Sequence, residues 1–458
     1  MQKTRRTMVR DMTDGPVIPM LLSFAMPLFV SNALQAVYNL VDTVVVGNVL
    51  GNPGISAVSI GGDILHLLTF IAMGFSSAGQ IIIARCVGQN RPDEIRRTIG
   101  TMFTMLLSTS VVIGVICYIL RHQILGWLNT PEQSLPLAMD YTVTCILGLP
   151  FIYGYNIVSA ILRGMGDSRR PFVFIAVAAV LNIALDLLFV SAMGMKTFGA
   201  ALATVIGQGV SFIASIIYLY VKRDAFGFDF RPSSFRIDKP AFRRLMALGI
   251  PMAIQSTAIN LSKIVLSAWI NNEGLVYSAL AGVYNKINMM CGVISQSFTT
   301  AGSTMCGQNL GARKYSRVNT TLAAVLVIGL VLSVAAGSAM LLWPNAIYGL
   351  FNSDPTYMAE TWLLTLPIIL NLFGSATRSA AFSLINDSGR AHLNLAVAII
   401  DGMISRVGLA ALLGFALNMR CRGFWLGDAL AGFMPFVIGA TFYLTGRWKE
   451  EAARRPSP

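Results

Sequence analysis

Charge is scarce in this chain. Asp, Glu, Lys and Arg make up 12% of its 458 residues, against 55% hydrophobic residues and a mean hydropathy of +0.65. A soluble protein of this length needs far more polar surface, so the composition excludes a water-soluble globule. Residues that carry chemistry are equally thin. The three histidines, His66, His122 and His392, are scattered and form no ligand cluster. The six cysteines, Cys86, Cys117, Cys145, Cys291, Cys306 and Cys421, show no metal-ligand spacing and read as small apolar packing residues. No Gly-Lys-Ser/Thr phosphate cradle is present, which argues against ATP hydrolysis within the chain. No catalytic constellation emerges, so neither an enzyme nor an organic cofactor is expected. The first apolar run is too long for a signal peptide and has no clear small-residue cleavage site.

What the chain has instead is long apolar runs. Crossing about 30 Å of hydrocarbon takes roughly 20 apolar residues. Twelve runs qualify, at 17–48, 53–84, 98–120, 136–162, 171–194, 198–221, 243–270, 276–306, 318–343, 357–384, 391–417 and 423–446. In lipid the backbone must satisfy its own hydrogen bonds, and these runs lack the alternation of barrel strands, so they predict helices. The net charge of +13 could suggest nucleic acid, but its distribution does not. Of 34 Lys and Arg, 26 fall at the termini, in the loops that follow even-numbered spans or, for Arg243 and Arg244, at the edge where such a loop enters the next span; four lie in the opposite loops and four deeper inside spans. That asymmetry places both termini on the cytoplasmic side of a cytoplasmic (inner) membrane, with lipid, not nucleic acid, as the partner.

The chain also repeats itself. Phe75-Ser-Ser-Ala-Gly79 with Gly88 is echoed 223 residues later by Phe298-Thr-Thr-Ala-Gly302 with Gly311, and Asp167-Ser-Arg-Arg170 is echoed 220 residues later by Asp387-Ser-Gly-Arg390. Two similar halves in the same order predict two six-helix lobes related by a parallel pseudo-two-fold repeat, the construction of many secondary transporters. The expected division is a lead at 1–16, an N-terminal lobe at 17–221, a basic connector at 222–242, a C-terminal lobe at 243–446 and a tail at 447–458. A stripe of small residues (Gly199, Ala203, Gly207, Ser211) reads as close helix packing.

Acids inside spans are the candidates for function. Asp42 lies deep in the first run, with Tyr38 and Gln35 four and seven residues before it on the same helical face. A charge there costs at least about 2.5–3.5 kcal/mol, so it needs a partner or a wet cavity. Asp186 has Asn182 one turn earlier. Two carboxylates with amide and hydroxyl oxygens could hold a proton or Na⁺, because close carboxylates cannot both stay ionised cheaply in low dielectric. Asp63, Asp401 and Asp428 are also in or near spans, and all four intramembrane bases (Lys263, Lys286, Arg378, Arg406) fall in the second half. Asp401 is expected to be a charge partner of one of them.

Together these features resemble the multidrug and toxic compound extrusion (MATE) family over almost the whole length. The residues that carry the resemblance are Pro27 with Tyr38-Asn-Leu-Val-Asp42 and Gly47; Leu162-Arg-Gly-Met-Gly-Asp-Ser-Arg169 with Pro171; Asn182 with Asp186; Gly199-Ala-Ala-Leu-Ala-Thr204; and Gly249-Ile-Pro251. Within the family the chain looks like the DinF-like branch. That likeness implies an antiporter, expected to be monomeric, that exports small organic cations in exchange for H⁺ or Na⁺. It implies an ion site at Asp42, Asn182, Asp186 and Thr204, a cavity lined by Gln35, Tyr38, Tyr141 and Asn156, and a hinge at Pro27. The positions that carry acids in other branches fall here on Leu266 and Asn371, so no coupling site is expected in the second half. The competing readings are a lipid-linked precursor flippase of the same superfamily and an uncoupled sensor or channel.

Overall fold

The computed structural model describes residues 10–223, 227–351 and 354–449, and every regular element among them is helical. The principal helices are α1 (Val17–Gly88), α2 (Pro92–Ile119), α3 (Leu135–Leu147), α4 (Leu149–Gly164), α5 (Arg169–Asp186), α6 (Lys196–Val221), α7 (Lys239–Asn271), α8 (Leu275–Gly311), α9 (Tyr315–Leu342), α10 (Trp362–Ile385), α11 (Ala391–Ile399), α12 (Arg420–Ala431) and α13 (Met434–Leu444). Wide π turns carry α5 on through Leu187–Ala192 and α11 on through Ile400–Ser405 into Arg406–Ala411.

Nine helices among the described residues are long and apolar enough to cross a membrane, or ten if α3 and α4, which meet at 48°, form one span. The remaining two follow from length. At about 1.5 Å per residue, the 72 residues of α1 exceed twice what a bilayer needs. Its backbone breaks at Gly51 (φ 63°, ψ −152°), a conformation that only glycine adopts readily, so α1 is two spans joined end to end. The second is α8, which has 37 residues but more polar ones. The protein is therefore a twelve-span, multi-pass membrane protein, as the apolar runs predict.

The repeat is visible in packing. Gly51 breaks the first half where Gly274 (φ 128°) separates α7 from α8 in the second. The echoed glycines do the same work in each half. A Cβ on Gly79 would fall 2.2 Å from the Met102 side chain, and one on Gly302 would fall 3.0 Å from Val325, the residue 223 positions after Met102. The Arg163-Gly-Met-Gly-Asp167 turn is equally constrained. Gly164 lies against the Gln80 carbonyl, Gly166 takes φ +86° beside the Arg10 carbonyl, and Asp167 Oδ1 accepts from the Arg169 and Arg170 amides (3.1 and 3.2 Å) to cap α5.

By packing, the chain forms two compact units. Among the described residues, one comprises Arg10, Asp11 and those of Met26–Gly249, and the other comprises Met12–Ala25 and those from Ile250 to Lys449. Residues 12–25 thus pack with the second unit, not with the rest of α1. Met12 donates to Gln308 Oε1 (2.9 Å) and accepts from Asn309 Nδ2 (3.2 Å), and Arg317 Nη1 donates to the Gly15 carbonyl (2.7 Å). Lys314 Nζ sits 2.6 Å from Asp14 and holds that carboxyl below the usual range. Residues 227–249 in turn pack with the first unit. Arg244 pairs with Glu94 (2.6 Å), the Asp238 amide donates to Thr101 (3.1 Å), and Phe228 and Phe235 stack edge to face near Phe103. In both helices that change units, α1 and α7, the change falls just before a proline, Pro27 or Pro251.

Candidate functional site

The first unit brings Asp42, Asn182, Asp186 and Thr204 together from α1, α5 and α6. All four are buried, Asp186 completely. Thr204 Oγ1 donates to Asp42 Oδ2 at 3.3 Å. The Asn182 amide fits with its nitrogen donating to Asp42 Oδ1 (3.0 Å) and its oxygen accepting from the Thr204 amide (3.2 Å). Both oxygens of Asp42 are therefore engaged by neutral donors, each such bond to a charged group being worth about 1.5–3 kcal/mol. Asp186 differs. Its carboxyl interacts with that of Asp42, yet neither of its oxygens meets a hydrogen-bond donor. A proton on one carboxyl would let it donate to the other, and a cation between them would serve both. Asp186 also sits where α5 widens into its π turn, a local geometry common at functional positions.

The expected cavity residues are placed variously. Tyr38 is half-buried, and its hydroxyl receives Gln208 Nε2 at 3.5 Å. Gln35 is half-buried. Asn156 is also half-buried and donates to the Ile152 carbonyl of its own helix (2.8 Å). Tyr141 packs in an apolar cluster with Val45, Val58 and Cys145, its ring against Gly61. Gln208 is a site residue that the sequence reading passed over. The signal was present, since Gln208 lies one turn after Thr204, but it sat inside the stripe of small packing residues. Asp63 is exposed and apart from this group.

In the second unit four of the intramembrane charges, Arg378, Arg406, Asp401 and Asp428, meet each other. Arg406, itself 1% exposed, contacts Asp428 and lies 3.1 Å from Asp401, which Arg378 also reaches at 3.4 Å. The Tyr284 hydroxyl donates to Asp428 Oδ2 at 2.9 Å. Asp401 is thus a charge partner of two bases. Leu266 is buried in an apolar cluster, and Asn371 Nδ2 donates to Asn288 Oδ1 (2.6 Å). Asp401→Asn is expected to lower folded yield, because it leaves bases uncompensated, without altering the pH or Na⁺ dependence of transport. Efflux from vesicles, measured against pH and Na⁺, checks this. A lost ion dependence in a folded variant would move coupling into the second unit.

Comparison with known sequences decides the family. The MatE family profile matches twice, over residues 27–188 and 251–412, each copy beginning at one of the two unit-crossing prolines. The chain belongs to the MatE family. Among MatE relatives it is 28% identical over 442 residues to the probable multidrug resistance protein YpnP of Bacillus subtilis, covering 96% of this chain and 97% of that one. It is 27% identical to the probable multidrug resistance protein YoeA of the same organism, covering 99% of each. A solved MATE in a bent conformation superposes with a TM-score of 0.89 at 20% identity, over 99% of this chain and all of that one. That likeness establishes the MATE two-lobe fold.

Proposed function

We propose that this MatE protein is an antiporter that exports organic, cationic drugs and xenobiotics in exchange for H⁺ or Na⁺, with Asp42, Asn182, Asp186 and Thr204 as the ion site. The observation that carries this reading is Asp186. A fully buried carboxyl lies against a second carboxyl with no donor to either oxygen. That arrangement is cheap only when a proton or cation is present, so occupancy of the site and the conformation around it are linked. Thr204 and Asn182 hold Asp42 in place, while Tyr38 and Gln208 extend the polar surface toward the substrate. Relatives named as multidrug resistance proteins support the export of drugs. Solved relatives in bent and in straight conformations support a role for Pro27, which removes one backbone hydrogen bond from α1, as the place where that helix flexes. The test is efflux of a fluorescent organic cation from vesicles with pH and Na⁺ gradients imposed separately. Efflux driven by neither gradient would overturn the coupling.

Both termini and the connector are proposed to face the cytoplasm of an inner membrane, from the bias of 26 basic residues to four. An epitope inserted at residue 230 is expected to be inaccessible from outside intact cells, and one beside Lys196 accessible. The reverse pattern would invert the topology.

A further inference from the structure

The first unit contains a cavity that the ion site does not use. It lies at the start of α5 and holds about 520 Å³ open to water, with Arg10, Asp167, Ser168, Arg169, Arg170 and Val173 among its lining residues. That volume is within the about 300–1,000 Å³ of small-molecule sites. The backbone fixes its frame. The Arg10 amide donates to the Met165 carbonyl (3.0 Å), and a Cβ on Gly166 would fall 2.6 Å from the Arg10 carbonyl oxygen. Charge in the lining is one-sided, three arginines against Asp167. Asp167 is already committed. One of its oxygens accepts from the Arg169 and Arg170 amides, and the other meets the Arg170 guanidinium, which also lies 5.1 Å from the centre of the Tyr218 ring. Arg169 is exposed, and among the described residues its guanidinium is in no ion pair or hydrogen bond. An apolar face leads away from the cavity along α5. Val173, itself in the lining, is 51% exposed, Val177 52% and Val180 71%, and their spacings of four and three residues put them on one side of the helix.

We propose that this cavity is the headgroup site of an anionic phospholipid, with the phosphate on Arg10 and Arg169 and an acyl chain along Val173, Val177 and Val180. Phosphate suits the lining because the planar guanidinium fork pairs with its oxygens, and Asp167, engaged with Arg170, leaves the arginine excess in place. The first amides of α5 take no part, since Asp167 caps them. The valines are the surface that this spanning helix turns to hydrocarbon. A lipid lying on them presents its phosphate at the level of the cavity, whereas a soluble phosphate has no such tether. A zwitterionic headgroup brings its own ammonium and leaves the arginine excess standing, and an anionic one neutralises it. On the charge-bias topology the leaflet is the cytoplasmic one. The same helix carries Asn182 and Asp186, so the lipid sits on an element of the ion site. Binding is read at equilibrium without any gradient, so the inference can fail while coupled efflux stands, and it can stand while coupling fails.

The experiment uses purified, delipidated full-length protein in detergent, titrated by microscale thermophoresis with three compounds. These are short-chain phosphatidylglycerol, short-chain phosphatidylcholine, and glycerophosphoglycerol, which is the first headgroup without its chains. Wild type is expected to bind phosphatidylglycerol saturably and roughly 25-fold more tightly than phosphatidylcholine, from two bases at about fivefold each. Arg169→Gln is expected to weaken phosphatidylglycerol about fivefold and leave phosphatidylcholine unchanged. Adding Arg10→Gln is expected to remove the preference, and Arg169→Lys to retain it. Arg121→Gln, which removes a base outside the cavity, is expected to leave it intact. Thermal unfolding of each variant reports its fold. Equal affinity of wild type for the two lipids, a preference that survives the double substitution, or one that Arg121→Gln removes equally would each overturn the site. Glycerophosphoglycerol bound as tightly as phosphatidylglycerol would make the cavity a soluble-anion site and overturn the lipid. Variants that unfold at both arginines would make those residues structural and would also overturn it.

Discussion

Asp42→Asn is expected to insert and fold as the wild type does, yet to show no gradient-driven efflux. The amide keeps the size of the side chain and can still meet Thr204 and Asn182, so packing changes little. What it removes is a carboxylate whose charge depends on ion occupancy. An ion shifts a conformational equilibrium only by its differential affinity for the two states, and moving a population from 1:99 to 99:1 takes a difference of about 10⁴-fold. An amide offers a proton no such difference and Na⁺ much less of one. Asp186→Asn is expected to give the same loss, because the pair functions as a pair. The measurement is initial efflux rate from vesicles, with protein amount matched by size-exclusion profile. Wild-type transport by Asp42→Asn would make the residue structural and sink the mechanism.

The second large effect is expected in the other unit, on stability. Arg406 holds both Asp401 and Asp428, and all three side chains are almost completely buried. Arg406→Met fills much of the same volume but leaves two acids facing each other's field, with Arg378 and Tyr284 as their remaining partners. Removing one member of a buried ion network costs about 3–5 kcal/mol, because the stranded charge has already lost its water. Thermal unfolding of purified protein in detergent is expected to show a markedly lower midpoint and a poor yield. Asp428→Asn in the Arg406→Met background is expected to recover part of it. An Arg406→Met variant as stable as wild type would mean that the two acids do not depend on the arginine for their burial.

Much of this architecture is legible in the sequence, and the reason is physical. A run of apolar residues long enough to cross a bilayer has few soluble alternatives, so the spans are written locally, and so is the repeat, in Phe75–Gly79 and Phe298–Gly302. Asp42 and Asp186 are legible because an acid in an apolar run is expensive enough to need a reason. Asp401 as a charge partner follows from the same cost. What is not legible is set by distance along the chain. Whether Asp42 and Asp186 meet depends on how α1, α5 and α6 pack, and no spacing reports that. Gln208 was hidden because a neutral amide among small residues costs little and so stands out little. The packing of residues 12–25 with the second unit was hidden for the first reason, since its partners, Gln308, Asn309, Lys314 and Arg317, lie about three hundred residues away.

That exchange has a consequence for how the protein came to be and how it can be taken apart. Residues 12–25, just ahead of Pro27, complete the second unit, and the residues up to Gly249, just ahead of Pro251, complete the first. Cutting the chain within the connector therefore yields two pieces, neither of which contains all of its own fold. The piece that ends there retains residues 12–25 without the Gln308 and Arg317 contacts they make, and the piece that begins there lacks those residues altogether. Each polypeptide half lends its opening segment to its sibling, in the manner of a swapped dimer whose two copies have been fused. In this molecule the unit of duplication is not the unit of folding.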